Sequence, residues 1–188
     1  MLKTGTLAML GAAATLAACG GTPDERVAVP RTDPVQSQRI SYSTVALREV
    51  SLPTYAASEE IYVSGPGGVI SPDEGLLWAD EPGRAITLEL TRYLAQITGA
   101  RVASEPWPFV DRAQVELELR VEEMLAHVDG TFRLSGQYFV APENGRDRAN
   151  LFAVVVPIGG TFSAQDIAAA RGSAVRQLAG EIAAKGLR

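Results

Sequence analysis

One histidine (His127), one cysteine (Cys19) and two lysines (Lys3 and Lys185) among 188 residues bound the chemistry this chain can do. A Ser-His-Asp arrangement needs a histidine held by a carboxylate against a serine on a strained turn. His127 stands beside Asp129-Gly130, a turn signal, and no Gly-x-Ser-x-Gly elbow occurs to present a serine. It reads as a turn or surface histidine. A Ser-Lys dyad would have to draw on Lys185, near the fraying end of the last helical pattern. Glu116, Glu118 and Glu122 fall on the polar positions of one strand pattern, and paired carboxylates can do acid–base work on glycosides. Their alternation with apolar residues is explained more simply by a solvated face or the rim of a protein contact. Gly65-Pro66-Gly67-Gly68 invites comparison with a phosphate cradle, yet no Lys-Ser/Thr pair follows and no helix pattern begins there, so it reads as a hairpin turn. A single cysteine makes neither an internal disulfide nor a thiolate zinc site. No catalytic, cofactor-binding or metal-ligating residues are assigned, and the chain reads as no enzyme.

The surroundings of Cys19 give it a different chemistry. Lys3 and the terminal amine precede an apolar run from Leu7 to Leu16, with no acidic residue before Asp24. This is the pattern of a secretory signal peptide, too short for the roughly 20 apolar residues of a spanning helix. Leu16-Ala17-Ala18-Cys19 then resembles a bacterial lipobox, whose cysteine thiol receives a diacylglyceryl group and whose freed amine is acylated, commonly with palmitate. Each buried CH₂ contributes about 0.8 kcal/mol, so several acyl chains anchor stably where one barely does. The plainer alternative is a secreted protein cut near Ala18. Gly20, rather than Asp, follows the cysteine, and by resemblance to enterobacterial sorting signals this points to the outer membrane. Residues 1–18 are therefore read as a lipoprotein signal peptide, and 19–38 as the lipidated cysteine with a flexible tether of Gly, Pro, Thr, Asp, Ser and Gln. Such a tether has a mean span of about 25 Å.

Residues 39–188 must then form the folded part. Ile40 to Val50 is rich in β-branched and apolar residues and predicts a strand, and Ile61-Tyr62-Val63 a second one before the glycine-rich turn. Asp80-Glu81-Pro82 opens a helix in which Ile86, Leu90, Tyr93, Leu94 and Ile97 share one face, and Gly99 closes it. Val115, Leu117, Leu119 and Val121 alternate with charged residues, and Phe132, Leu134, Gly136, Tyr138 and Val140 repeat the pattern after the Asp129-Gly130 turn. These predict two antiparallel strands with one dry and one charged face. The wholly apolar run Leu151 to Val156 predicts a central strand. Ser163 and Asp166 resemble a capping box, opening a second helix with Ile167, Ala170, Ala174, Leu178 and Ile182 inward. The expected fold is α+β: an antiparallel or mixed β-sheet packed by two α-helices in a single domain.

The formal charge of −5, which becomes −6 once Lys3 is removed (16 Lys and Arg against 22 Asp and Glu), excludes the basic patch that nucleic acid needs. Aromatic residues are few, but Tyr55, Trp78 and Trp107 fall among loop signals. They are possible anchors of a partner interface, or plugs at the edges of a small core.

At these residues the chain resembles the PqiC (YmbA-type) lipoproteins, also called ABC-transport auxiliary lipoproteins. The likeness is carried by the lipobox ending at Cys19, by Leu52-Pro53-Thr54-Tyr55 leading into Ile61-Tyr62-Val63, and by Trp78-Ala79-Asp80-Glu81-Pro82 opening the first helix. Pro106-Trp107-Pro108, the alternating strand after it and the Ala-rich last helix complete it. The resemblance implies no catalytic residues. It implies a lipoprotein of a Gram-negative bacterium, on the periplasmic face of the outer membrane, forming a homo-oligomeric ring. That ring would dock a periplasm-spanning MCE-domain protein in moving phospholipids between membranes and maintaining envelope integrity. Two alternatives remain open at this point: a carrier that holds envelope lipid in its own cavity, and a lipoprotein hydrolase using His127 or the glutamates.

Overall fold

The computed structural model describes residues 25–32 and 36–188. The signal peptide and Cys19 lie outside the described residues. Strands β1 (Glu25–Val27), β2 (Thr44–Leu47), β3 (Glu60–Ser64) and β4 (Ile70–Trp78) precede helix α1 (Pro82–Thr98). Then come β5 (Arg101–Ser104), β6 (Val115–His127), β7 (Thr131–Pro142), β8 (Arg148–Pro157) and α2 (Ala164–Glu181), which ends in a π turn over Ile182–Gly186. Two helices on one mixed sheet make the expected α+β domain.

The 13-residue β6 organises the sheet. One edge pairs antiparallel with β7 along its whole length, and β7 pairs antiparallel with β8. The other edge is divided. Its first residues, Val115–Leu117, take β2 in parallel, and β2 in turn takes β5. Its last residues, Ala126 and His127, take β3 in parallel, and beyond β3 follow β4 and β1. The fork falls at a β-bulge between Val121 and Glu123, where two residues oppose one and the strand bends. The bulge also shifts the alternation, so buried Val115, Leu117, Leu119 and Val121 are succeeded by buried Met124 and Ala126. Gly136 stands opposite it. A Cβ there would lie 2.2 Å from the Arg120 carbonyl oxygen, so this approach of two strands admits only glycine.

Rungs such as Leu119–Tyr138–Asn150 and Ala126–Phe132–Val156 run across the inner face of β6, β7 and β8. The helices cover that face, α2 over β7 and β8 and α1 against β5, with the two helices in mutual contact. Each helix begins as its sequence dictates. The Glu81 carboxylate accepts from the Gly83 and Arg84 amides, with Pro82 in the first turn, and Gly99 closes α1 in the left-handed region at φ 68°. Ser163 and Asp166 form a reciprocal capping box at α2.

Three expectations need correction. β8 is an edge strand, not a central one: among the described residues its only neighbour is β7. Its apolar run looked central because both faces are apolar, but α2 covers only Phe152, Val154 and Val156, leaving Leu151 76% exposed and Val155 exposed beside it. Part of the stretch read as tether over 20–38 belongs to the fold: β1 pairs in parallel with Leu76–Trp78, Val27 is buried and Val29 packs on the core. A three-residue strand is too brief to show any period. The strand read over Ile40–Val50 shrinks to β2, although Arg48 and Ser51 still donate backbone hydrogen bonds to β6.

Candidate functional site

The residues singled out from the sequence separate into three environments. Trp78 ends β4 at 4% exposure, with the Arg171 guanidinium 4.8 Å from its ring centroid. It offers no surface to a partner, and its assignment as an interface residue is corrected to a core role. The loop signals around it came from Asp80-Glu81-Pro82, which belong to the start of α1.

Tyr55 is half-buried at the sheet's fork. Its hydroxyl accepts from the Met124 amide at 3.3 Å, and its ring meets Tyr62 edge-on at 6.0 Å. Burial pushes its phenol pKa upward, and the hydrogen bond from Met124 opposes that shift. The side chain thus satisfies an amide just past the bulge and props the point where β2 and β3 part.

Trp107 belongs to the surface. The loop from Glu105 to Gln114 joins β5 to β6, and Pro106, Pro108, Phe109 and Val110 extend its apolar character to the tip. Val110 has no cover at all, at 103% exposure. Trp107 donates its indole N–H to the Asp111 carbonyl at 2.7 Å and packs edge-on against Phe109 at 4.9 Å. Arg101 lies 5.1 Å over the Phe109 ring. These contacts fix the loop from within while its outer side stays open. Beneath it a groove of about 410 Å³ is lined by Trp107, Glu105, Glu116, Glu143, Arg112 and Pro142. An aromatic wall with a rim of mixed charge, where Arg48 pairs with Glu116 and Glu105 and Arg112 stands beside them, suits an apolar side chain presented by another protein.

The open face of the sheet leads away from this groove. Arg48 pairs with Glu116 at 2.8 Å, and Arg120 with Glu118 at 2.7 Å. Glu116 holds the Arg48 guanidinium more firmly protonated than usual, chiefly through that hydrogen bond. Glu122, at the bulge, accepts from Gln137 at 2.9 Å. Glu116 and Glu118 are therefore paired with arginines, and Glu122 with an uncharged amide, on a solvated face. His127 lies at the opposite end of β6, its Nε2 2.8 Å from Glu123 Oε1.

Sequence reasoning missed Arg171, which is only 1% exposed. Its Nη2 is 3.3 Å from Glu89 Oε1, while Arg171 Nε and Glu89 Oε2 have no hydrogen-bond partner among the described residues. Burial raises the Glu89 pKa and lowers that of Arg171, each opposed by the partner's charge. A cavity of about 200 Å³ adjoins the pair, roofed by Val27, Ala28 and Val29. The signal was there to read: Arg171 occupies the stripe that runs through Ile167, Ala174 and Leu178. Among the described residues no cluster of three or more His, Cys, Asp or Glu could hold a metal, and no helix is long and apolar enough to cross a membrane.

A protein-family model, described as the ABC-type transport auxiliary lipoprotein component, matches residues 26–183. The chain belongs to that family. The match bears out the resemblance read from the lipobox and loop motifs, and it begins inside β1, in keeping with a domain that starts before residue 39. Among solved structures, protein XCC0632 from Xanthomonas campestris, of the DUF330 family, superposes with a TM-score of 0.72 at 18% identity, covering 87% of this chain and 95% of that one. A crystal structure titled only as an uncharacterized protein superposes with a TM-score of 0.69 at 17% identity, covering 80% and 99%. These likenesses show a shared fold. No curated protein matches the sequence.

Proposed function

We propose that this auxiliary lipoprotein is a non-catalytic docking component of an MCE-type intermembrane lipid transport system, anchored through acylated Cys19 to the periplasmic face of the outer membrane. The observation that carries the reading is the Trp107 loop, where five successive apolar residues from Pro106 to Val110 project beside a groove. Exposed aromatic and apolar residues over a groove are what a protein contact uses. The loop stands at the start of β6, one strand length from the turn end that lies nearer the N-terminal segment. A docking part needs this separation, with one end free to meet a partner.

The homo-oligomeric ring finds support in β8. Its free edge and the outward row Ala149, Leu151, Ala153, Val155 and Pro157 are the kind of surface that a second copy covers. The test of the whole reading is a crosslinked pull-down of the tagged, lipidated protein from outer membranes, read by mass spectrometry. Recovery of an MCE-domain protein supports it. Recovery of cell-wall enzymes, or of this protein alone, overturns it and favours the hydrolase or carrier alternatives.

A further inference from the structure

We propose that the turn end of the sheet, formed by Pro66, Val69, Ile70 and Val128, lies directly on the lipid bilayer. The proposal rests on Cys19 being the acylated anchor. Its first support is the length of chain between anchor and fold. Cys19 precedes Glu25 by six residues, which reach at most about 21 Å when fully extended. The bilayer surface must therefore fall within that distance of Glu25.

The register decides which end of the molecule this is. Glu25 pairs with Leu76, and Leu77 pairs with Glu60, so Glu25 stands level with Ile61. Val63 pairs with Ala126 in parallel, so Ile61 stands level with Met124, close to the last residue of β6. From that level the first residue of β6, where the Trp107 loop delivers the chain, is about 30 Å away along the strand. Six residues do not span it. The turn end, four residues on at Val128 and five at Pro66, is about 13–17 Å away by the same rise, within the reach of six residues. Because β1 runs parallel to β4, whose first residue follows the turn, the chain enters β1 from the turn side.

The second support is the composition of that end. Val69 is 65% exposed and Val128 60%, with Ile70 and Pro66 exposed beside them. These side chains are neighbours. Gly65 donates to the Val69 carbonyl at 2.8 Å, Val128 donates to the Ser64 carbonyl at 3.2 Å, and Ser64 pairs with Ile70. Gly65 through Pro72 carries no charged residue. Asp73 follows directly in β4, and around the β6–β7 turn Asp129 is paired with Arg133 at 2.6 Å while His127 Nε2 lies 2.8 Å from Glu123. A neutral apolar tip within reach of acyl chains is suited to the interfacial region of a bilayer.

Environment-sensitive fluorophores on V69C, V128C and V110C in the full lipidated chain test this, since the acylated Cys19 thiol leaves the introduced thiol alone to react. All three positions are exposed, so the fold tolerates the labels, with circular dichroism as the check. Each protein is anchored in vesicles of phosphatidylethanolamine and phosphatidylglycerol containing a brominated lipid. Quenching of at least twofold at positions 69 and 128, with none at 110, is the expected result. Vesicle flotation of the intact chain with solvent-like emission at 69 and 128, or with equal quenching at 110, overturns the proposed surface and leaves the anchor standing. Failure of the intact chain to float, with Cys19 unmodified by mass spectrometry, overturns anchor and surface together.

Discussion

Trp78 and Trp107 show how two residues with the same sequence signal come to serve different ends. Both stand near prolines and turn residues, so local pattern cannot separate them. Burial separates them because β4 carries Trp78 beneath α2, while the β5–β6 loop carries Trp107 outward. Trp78→Ala is expected to cost about 3–5 kcal/mol, lowering the thermal midpoint by roughly 10 °C. Trp107→Ala should cost about 1 kcal/mol or less, since its ring is only partly covered. Differential scanning calorimetry of both variants checks this, and equal losses would sink the assignment. The buried Arg171–Glu89 pair was legible as one charge in an apolar stripe, but its partner was not, because the crossing of α1 and α2 is a tertiary fact. The propping role of Tyr55 at the sheet's fork was equally beyond local pattern, since its partner Met124 is 69 positions away.

At the scale of elements, long periodic segments were legible and short ones were not. α1, α2, β6 and β7 came out of the period and the caps. β1 and β5 escaped because three or four residues show no alternation, and β8 was placed wrongly because a two-sided apolar run has two explanations: burial within the sheet, or a face left open. The cap of α2 carries a pH dependence. Asp166 accepts from Ser163 Oγ, its largest stabiliser, and from the Ser163 and Thr161 amides, and these bonds hold its pKa below the ordinary value. Folding thus favours the ionised form. The associated stability is fully present above the unfolded value of about 3.9 and is lost as pH falls through the lower folded one. Acid titration of the thermal midpoint should show a shallower decline for Asp166→Asn than for the wild type in that window, and identical slopes would contradict the assignment. β1 makes a second prediction. A chain beginning at residue 39 loses Val27, Val29 and the roof over Arg171, and should melt roughly 5 °C below one beginning at residue 20, from about 2 kcal/mol of lost burial. Equal midpoints would return residues 25–32 to the tether.

The whole molecule is a sheet about 40 Å long measured along the 13 residues of β6, with its helices on one face and distinct chemistry at its two ends. Composition offered few residues for catalysis, and family membership gives the transport setting; neither could assign the ends. That assignment needed the register of β1 on β4 and of β3 on β6, which no local sequence pattern encodes. The open face between the ends is charged along β6 and apolar along β8, so the proposed partner, bilayer and second copy would each meet a separate surface. The most direct measurement is site-specific photo-crosslinking in living cells from position 110, with position 88 on the exposed flank of α1 as the control. Capture of an MCE-domain protein from position 110 and not from 88, abolished by Trp107→Ala in a stably folded chain, is the predicted result. Capture from neither position, or from both alike, would contradict the docking role of the Trp107 loop.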